Sequence, residues 1–152
     1  MALMDLGTSH LAETAAKMGL TYLLALPSGW QGEQEGHSLG IRTFPIVALA
    51  SCAYMLIAVQ GSGGSGDLRA LQGLMTGIGF VGGGAILKEG MSVHGTAAAA
   101  GIWSTGAVGA AVAYGRLDIA VLVALLNFFT LRGLLPIKRR LDDRARHDGS
   151  LR

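Results

Sequence analysis

Two groups of residues have the types and spacing that chemistry requires. The first is the string GIGFVG at residues 77–82, which fits the GxGxxG pattern of dinucleotide-binding loops. That pattern needs a preceding strand and an acidic residue about 20 positions later. The residues before Gly77 favour a helix instead, and Glu89 comes too early and Asp118 too late. The glycines therefore do not predict a nucleotide-binding enzyme.

The second group is polar and lies in two predicted loops. It consists of Glu33, Glu35, His37 and Arg42 in the first loop and of Lys88, Glu89 and His94 in the second. If the two loops meet, these side chains form one cytoplasmic site; if they do not, the side chains are simply solvated. The sequence contains no Ser/His/Asp, Cys/His or HExxH arrangement, so we expect no catalytic residues, no bound metal and no enzyme.

The composition favours a membrane protein. Hydrophobic residues make up 51% of the chain and charged residues 14%, and 24 of the 152 residues are glycine. Glycine inside a helix costs about 1 kcal/mol in water, but it lets membrane helices approach each other closely. Cys52 is the only cysteine, which excludes an intramolecular disulfide. The first residues lack the basic start of a cleaved signal peptide, so we expect the first hydrophobic segment to be retained.

The hydropathy pattern predicts an all-α, multi-pass integral membrane protein with about five transmembrane helices. Glu13 and Lys17 are spaced as an i, i+4 ion pair at the start of the first helix. Pro27 and the Ser-Gly pair after it are predicted to end that helix, and Thr43 is predicted to cap the second. The predicted spans cover residues 12–26, 43–59, 68–87, 96–113 and 117–135.

The charges predict the orientation and the domain limits. Residues 138–152 carry six basic and three acidic side chains, so we expect a basic cytoplasmic tail after a membrane domain at residues 1–137. Five spans then place the N-terminus outside and the C-terminus inside. Arg42 and Lys88 fall on the inner side, and Arg69 and Arg116 on the outer side. No nucleic-acid partner is expected from this tail.

Small residues four positions apart predict close helix packing in the third and fourth spans. They are Gly73 with Gly77 and Gly79 with Gly83 in the third span, and Ala97, Gly101, Thr105, Gly109 and Ala113 in the fourth. One interpretation is a tight crossing of these two spans, within one chain or between chains. The alternative is that residues 82–84 unwind the helix and expose carbonyl groups to a substrate or an ion.

Few polar residues remain inside the predicted spans. No Asp or Glu lies well inside spans two to five, so one chain is not expected to form a complete Mg²⁺ cage. The remaining polar side chains are interpreted as interhelical hydrogen-bonding groups, and the amide of Asn127 has the greatest need of partners. We interpret Trp103 as packing against the glycine ridge. The polar set is Gln72, Thr76, Ser104, Thr105, Asn127, Thr130 and Arg132.

Several strings resemble the membrane domain of the MgtC/SapB family over about residues 24–135. They read GIRTFPIVALASCAYML, LQGLMTGIGFVGGGAILKEGMSVHGTAAAAGIW, TGAVGAAVAYG and LLNFFTLR. The family's GLRT corresponds to residues 40–43, its GIGFLGAG to residues 77–84, its following basic residue to Lys88 and its tryptophan to Trp103. Glu33 alone remains of the family's two glutamates, and Ala97 and Ala98 replace its paired threonines.

The resemblance implies a short, SapB-like protein of the bacterial inner membrane. It implies a non-enzymatic regulator or accessory factor in magnesium and stress homeostasis, with Mg²⁺ as signal or solute. It also implies another inner-membrane protein as partner, an F-type ATP synthase or a cation transporter, and leaves a homo-oligomer open. The alternative is a transporter or channel subunit. The expected partner-binding residues are Glu33, Arg42, Thr43, Gly77, Gly79, Gly82, Gly83, Lys88, His94, Gly95, Trp103 and Asn127.

Overall fold

A computed structural model describes residues 7–34, 40–61, 67–89 and 92–134. These residues form five helices and one short β-hairpin. The elements are α1 (Thr8–Gln34), α2 (Thr43–Gly61), α3 (Asp67–Gly84), β1 (Leu87–Glu89), β2 (Ser92–His94), α4 (Thr96–Ala113) and α5 (Leu117–Gly133). The prediction of five helices in an all-helical fold is confirmed. The antiparallel hairpin of β1 and β2 between α3 and α4 was not predicted.

The contacts between helices fix their directions. Phe44 and Ala48 of α2 face Gly101 and Gly109 of α4 in the same order along the chain, so α2 and α4 run in the same direction. α1, α3 and α5 run in the opposite direction. One end of the bundle, here called the Arg42 end, therefore carries the start of α2, the hairpin and the C-terminal ends of α1, α3 and α5.

The opposite end, here called the Arg116 end, carries two exposed ion pairs. Lys17 Nζ lies 2.8 Å from Glu13 Oε1, which confirms the predicted i, i+4 pair. Arg116 Nη2 lies 2.9 Å from Asp118 Oδ2 where α5 begins. The hydrogen bond that Arg116 donates to the Asp118 carboxylate raises the pKa of Arg116. Exposed pairs of this kind contribute little to stability, because water screens both charges.

The backbones of α2 and α4 approach each other closely at Gly109. A Cβ atom at Gly109 would collide with the carbonyl oxygen of Ala48 and would lie 2.8 Å from Ser51 Cβ. About two turns away, a Cβ atom at Gly101 would lie 3.0 Å from Phe44 Cε1. The small ridge of α4 therefore packs against α2, where the absence of side chains brings the two backbones together.

α3 packs differently from the prediction. A Cβ atom at Gly82 would lie 3.3 Å from the carbonyl oxygen of Ala99, and Ile78 fills the space over Gly106. Cβ atoms at the other predicted contact glycines of α3 would have no neighbour within 4 Å; these are Gly73, Gly77, Gly79 and Gly83. Within the chain, the predicted crossing of these glycines with the α4 ridge is therefore wrong, because α2 already covers that ridge. A crossing between chains stays a prediction.

α1 continues through Pro27, where the sequence predicted its end. The helix runs to Gln34, so Trp30 and the residues after it are helical and not part of a loop. Two contacts support this segment. Ser28 is buried and hydrogen-bonded, and a Cβ atom at Gly29 would lie 3.0 Å from Ile41 Cα. Tertiary packing thus outweighs the helix-ending tendency of the Pro-Ser-Gly sequence.

The glycine run at residues 82–84 ends α3 and does not open its middle. The Gly82 and Gly83 carbonyl groups accept hydrogen bonds from the N–H groups of Ala85 and Ile86, at 3.1 and 3.2 Å. The alternative that these glycines unwind the helix in mid-span is therefore not seen. At Gly95 the backbone has φ +85°, and a Cβ atom would collide with the Ala85 carbonyl oxygen. Glycine is required there by both conformation and space.

Small side chains make up much of the described interior. Among the described residues, ten of the 18 buried hydrophobic residues are alanine, although Phe44, Met55 and Ile102 are also buried. On the surface, Phe80, Ile57 and Leu126 are 85%, 70% and 65% exposed. Among the described residues one helix, Thr96–Ala113, has both the length and the apolar composition needed to cross a membrane, and Thr43–Val59 is a shorter apolar segment. Crossing by all five helices stays a prediction.

Substitution of two glycines by alanine tests the α2–α4 contact. We expect Gly109→Ala to lower the free energy of unfolding by about 1–3 kcal/mol, because the new methyl group must displace the α2 backbone. Gly73→Ala should change it by less than about 0.5 kcal/mol or raise it, because the methyl group enters open space. Unfolding in detergent micelles measures both. Equal losses would contradict the packing described here.

Candidate functional site

A polar cluster joins three helices inside the bundle. The Nδ2 amide of Asn127 on α5 donates a hydrogen bond to Ser28 Oγ on α1 at 3.2 Å. It also contacts the carbonyl oxygen of Gly101 on α4 at 3.5 Å. The Thr105 hydroxyl donates to the same carbonyl at 2.8 Å. We call these four residues the Asn127 cluster.

The Asn127 cluster lies near the Arg42 end of the bundle and is largely buried. Ser28 and Thr105 are 2% and 1% exposed, and Asn127 is half-buried. Ser28 and Asn127 each precede the end of their helix by six residues, which places them about 9 Å from that end at 1.5 Å per residue. In this setting the amide hydrogens have few competing partners, so the cluster fixes the relative positions of the three helices.

The hydroxyl groups of the bundle bond within their own helices. Thr105, Ser104 and Thr76 were predicted to bond between helices, but each donates to the carbonyl group four residues before it, at 2.8, 3.0 and 2.9 Å. Thr21 and Ser51 do the same at 2.8 and 2.7 Å. Helical backbone carbonyls are the nearest acceptors for these short side chains. The longer side chain of Asn127 reaches a neighbouring helix.

The predicted polar residues whose backbone the structure describes lie at the Arg42 end. Arg42, which is exposed, and Thr43 lie where α2 begins. Lys88 and His94 belong to the hairpin, and Glu33 lies in the last turn of α1. The side chains of these last three residues, together with Glu35, His37 and the tail at 138–152, lie outside the described residues. A joint site of the two loops therefore stays a prediction.

The described residues contain no group of three His, Cys, Asp or Glu side chains that could hold a metal ion. Their buried polar side chains are all neutral: Thr21, Ser28, Gln31, Ser51 and Thr105. Every buried nitrogen and oxygen atom of a described side chain has a hydrogen-bond partner. This part of the interior thus offers neutral oxygen atoms and the primary amides of Gln31 and Asn127 for interaction, and no carboxylate.

Two apolar cavities flank α3. The larger, of about 570 Å³, is a groove between α2 and α3 whose lining includes Gly73, Gly77 and Tyr54. The smaller, of about 210 Å³, lies between α3 and α4 and is lined by residues that include Trp103. Trp103 is 47% exposed and lies on the face of α4 opposite Gly101. It therefore borders α3 and does not pack against the small ridge of α4.

The remaining predicted contact residues fall on different surfaces. Gly79 and Gly83 are exposed on the outward side of α3, and Gly82 is buried against α4. On α4, Ala97 is exposed, whereas Gly101, Thr105 and Gly109 are buried. The i, i+4 spacing thus identifies one buried face of α4 from its sixth residue onward.

The sequence analysis missed Ser28 and Gln31, which are 2% and 5% exposed. Both follow Pro27, and a segment after a predicted helix end gives no hydrophobic periodicity to identify a buried face. The need of Asn127 for a partner was visible in the sequence. Nothing in the sequence pointed from that amide to a serine 99 positions earlier.

The fold and the site define the class of protein. Small residues and polar side chains are common inside the described bundle, many large apolar side chains lie on its surface, and an amide joins the helices. This arrangement is typical of an all-helical, membrane-associated protein. The sequence profile of the MgtC family matches residues 18–140, and the chain belongs to that family.

Relatives match the chain over most of its length. Protein MgtC of Brucella abortus is 32% identical over 92% of this chain and 59% of its own length. Protein SrpB of Synechococcus elongatus is 29% identical over 79% of this chain and 74% of its own length. YhiD of Escherichia coli K12, named as a candidate magnesium transporter, is 24% identical over 90% of this chain and 67% of its own length.

The chain spans about three fifths of the length of the Brucella relative. No solved structure matches it.

A double-mutant cycle tests the Asn127 cluster. We expect Ser28→Ala and Asn127→Ala each to lower the free energy of unfolding. Their combined effect should fall short of additivity by about 0.6 kcal/mol, the average for hydrogen bonds between membrane helices. Thr130→Ala, which changes an exposed hydroxyl one turn away on α5, serves as the control. Additive losses would show that Ser28 and Asn127 do not interact. Unfolding in mixed micelles measures the wild type, the two single variants, the double variant and the control.

Proposed function

We propose that this chain is a multi-pass protein of the bacterial inner membrane that regulates or assists another membrane protein in magnesium and stress homeostasis. It is not an enzyme in this proposal, and Mg²⁺ acts as signal or solute. The partner is an inner-membrane protein, an F-type ATP synthase or a cation transporter. Family membership is shown for residues 18–140, and the activity of the whole protein is what is proposed here.

The exposed apolar surface supports insertion in the membrane. Leu23, Ile57, Leu122 and Phe129 come from three helices and are each at least 59% exposed. Water would disfavour so much apolar area, whereas lipid accommodates it. Arg42 and Arg132 lie at one end of the bundle, in the direction of the basic tail. The positive-inside rule then favours a cytoplasmic C-terminus and an N-terminus on the outer side.

Four glycines of α3 with open space around them support the proposal of a partner. A Cβ atom would meet no neighbour within 4 Å at these positions, which are Gly73, Gly77, Gly79 and Gly83. Glycine destabilises a helix relative to alanine, so packing inside this chain does not explain these residues. Gly73 and Gly77 also line the 570 Å³ groove beside α2. Small residues at a lipid-facing position favour the close approach of another transmembrane helix. A partner helix seated on this face would give these glycines a role.

The neutral interior favours the regulatory function over transport. Ion pathways in membranes usually contain ionisable side chains that face the bundle interior. The buried polar side chains of the described residues are threonines, serines and a glutamine. Mg²⁺ binds in proteins chiefly through carboxylates and retained waters.

The alternative function is that of a transporter or channel subunit. Two observations favour it: the name of the relative YhiD, and the Gly101 carbonyl that the Asn127 amide contacts inside the bundle. Backbone carbonyls and amides can line the path of a solute where a helix bundle opens. The two functions make opposite predictions for the purified protein.

Association with a partner tests the regulatory function. We expect the wild-type protein to co-purify from bacterial membranes with a specific subunit of an ATP synthase or cation transporter. Gly77→Leu should reduce the yield of that subunit about tenfold or more, because the side chain fills the contact face. Gly133→Leu is the matched control, since Gly133 also has open space around it but lies at the end of α5. Equal losses from both variants would contradict a contact at α3.

Flux through liposomes separates transport from regulation. We expect proteoliposomes that contain only this protein to take up Mg²⁺ no faster than empty liposomes. A dye inside the vesicles measures the uptake. Magnesium flux that depends on the protein and is lost in an Asn127→Leu variant would overturn the regulatory function and support the alternative.

A further inference from the structure

α1 contains a break in its hydrogen bonding at Pro27. Proline has no N–H group, so the carbonyl oxygen of Leu23, four residues earlier, has no helical donor at this position. Prolines inside helices are the usual positions of kinks. The helix nevertheless continues for seven residues, 28–34, which we call the α1 arm.

The two sides of Pro27 are held in different ways. Before Pro27, Met18 and Leu24 pack against the apolar cluster formed by α2, α4 and α5. The described side chains of the α1 arm contribute to neither apolar cluster of the bundle. The arm is held by the Ser28–Asn127 hydrogen bond, by the close approach of Gly29 to the backbone before α2, and by Gln31, which is 5% exposed and has a partner of its own.

We infer that Pro27 is a hinge and that the Ser28–Asn127 hydrogen bond holds the α1 arm docked against the rest of the bundle. Asn127 is suited to this role because its helix is anchored separately. Ala120 and Ala124 of α5 belong to the apolar cluster around Val112. Loss of the hydrogen bond therefore weakens the docking of the arm and leaves α5 in place.

The inference does not depend on the proposed function. The α1 arm includes the backbone of Glu33 and leads to Arg42, so its position sets the geometry of the Arg42 end. A docked and an undocked arm would give this end two arrangements in either a regulator or a transporter. The proposed hinge depends on Pro27 and on the hydrogen bond between Ser28 and Asn127.

Distances between spin labels in the full-length protein test the hinge. One pair of labels replaces Trp30 on the arm and Phe129 on α5, which are 60% and 61% exposed. The control pair replaces Leu23 and Leu122, which are 63% and 59% exposed and lie five residues before Ser28 and Asn127. The native Cys52 is fully buried and is left in place. Pulsed electron paramagnetic resonance in lipid nanodiscs measures both distances.

We expect Asn127→Leu to raise the population with a longer Trp30→Cys to Phe129→Cys distance about 3- to 20-fold, the range for loss of one interhelical hydrogen bond. Ser28→Ala should act in the same direction. The Leu23→Cys to Leu122→Cys distance should stay unchanged, because those sites lie on the anchored side of Pro27. Unchanged distances in both pairs, or an equal change in both pairs, would overturn the inference.

Pro27→Ala in the Asn127→Leu background distinguishes a hinge from general loosening. Alanine restores the N–H donor to the Leu23 carbonyl and stiffens the helix. We expect the longer distance of the arm pair to disappear, although the Ser28–Asn127 hydrogen bond is still absent. Persistence of the longer distance would show that Pro27 is not the point of motion and would overturn the inference.

Discussion

The close approach of α2 and α4 at Gly109 is the constraint on which the rest of the bundle depends. α4 contacts each of the other four helices, so its position fixes theirs. Gly109 sets the separation from α2, Gly101 receives the ring of Phe44, and Gly106 receives Ile78 of α3. In lipid the hydrophobic effect does not drive helices together, and dispersion at such short distances replaces it. The three glycines bring α4 this close to α2 and α3.

The described bundle contains two kinds of glycine, which differ in whether another helix covers them. Those of α4 are covered, and their lack of a side chain is used inside the chain. Those of α3, apart from Gly82, are uncovered, and α3 is bordered by cavities on two sides. α3 is thus the helix with the most surface left for another molecule. The polar contacts show a similar division, since the Asn127 cluster links α1, α4 and α5 and does not involve α3.

The sequence predicted the limits of α2 and α4 well because local signals mark them. Thr43 and Pro45 begin α2, and α4 starts after a glycine whose positive φ no other residue adopts easily. It failed at α1, because the effect of Pro27 depends on contacts made by Ser28 and Gly29 with distant parts of the chain. The resemblance to the family came from motifs and was confirmed by the family match.

The same distinction applies to the candidate site. Spacing in α4 identified a face of small residues that is buried from Gly101 onward, but spacing alone does not name the helix that covers that face. The sequence therefore paired it with α3 when its partner is α2. Asn127 could be singled out, since a primary amide in an apolar helix needs partners. Its partner Ser28 depends on the packing of α1 against α5, which no local pattern encodes.

Hydroxyl groups that bond within their own helices can still accept a hydrogen bond but have no second hydrogen to donate. Each of Thr21, Ser51 and Thr105 donates its only hydroxyl hydrogen to a backbone carbonyl of its own helix, and its oxygen keeps lone pairs that can accept. A new polar partner at any of these three positions would therefore have to bring its own hydrogen, as the Asn127 amide does at Ser28.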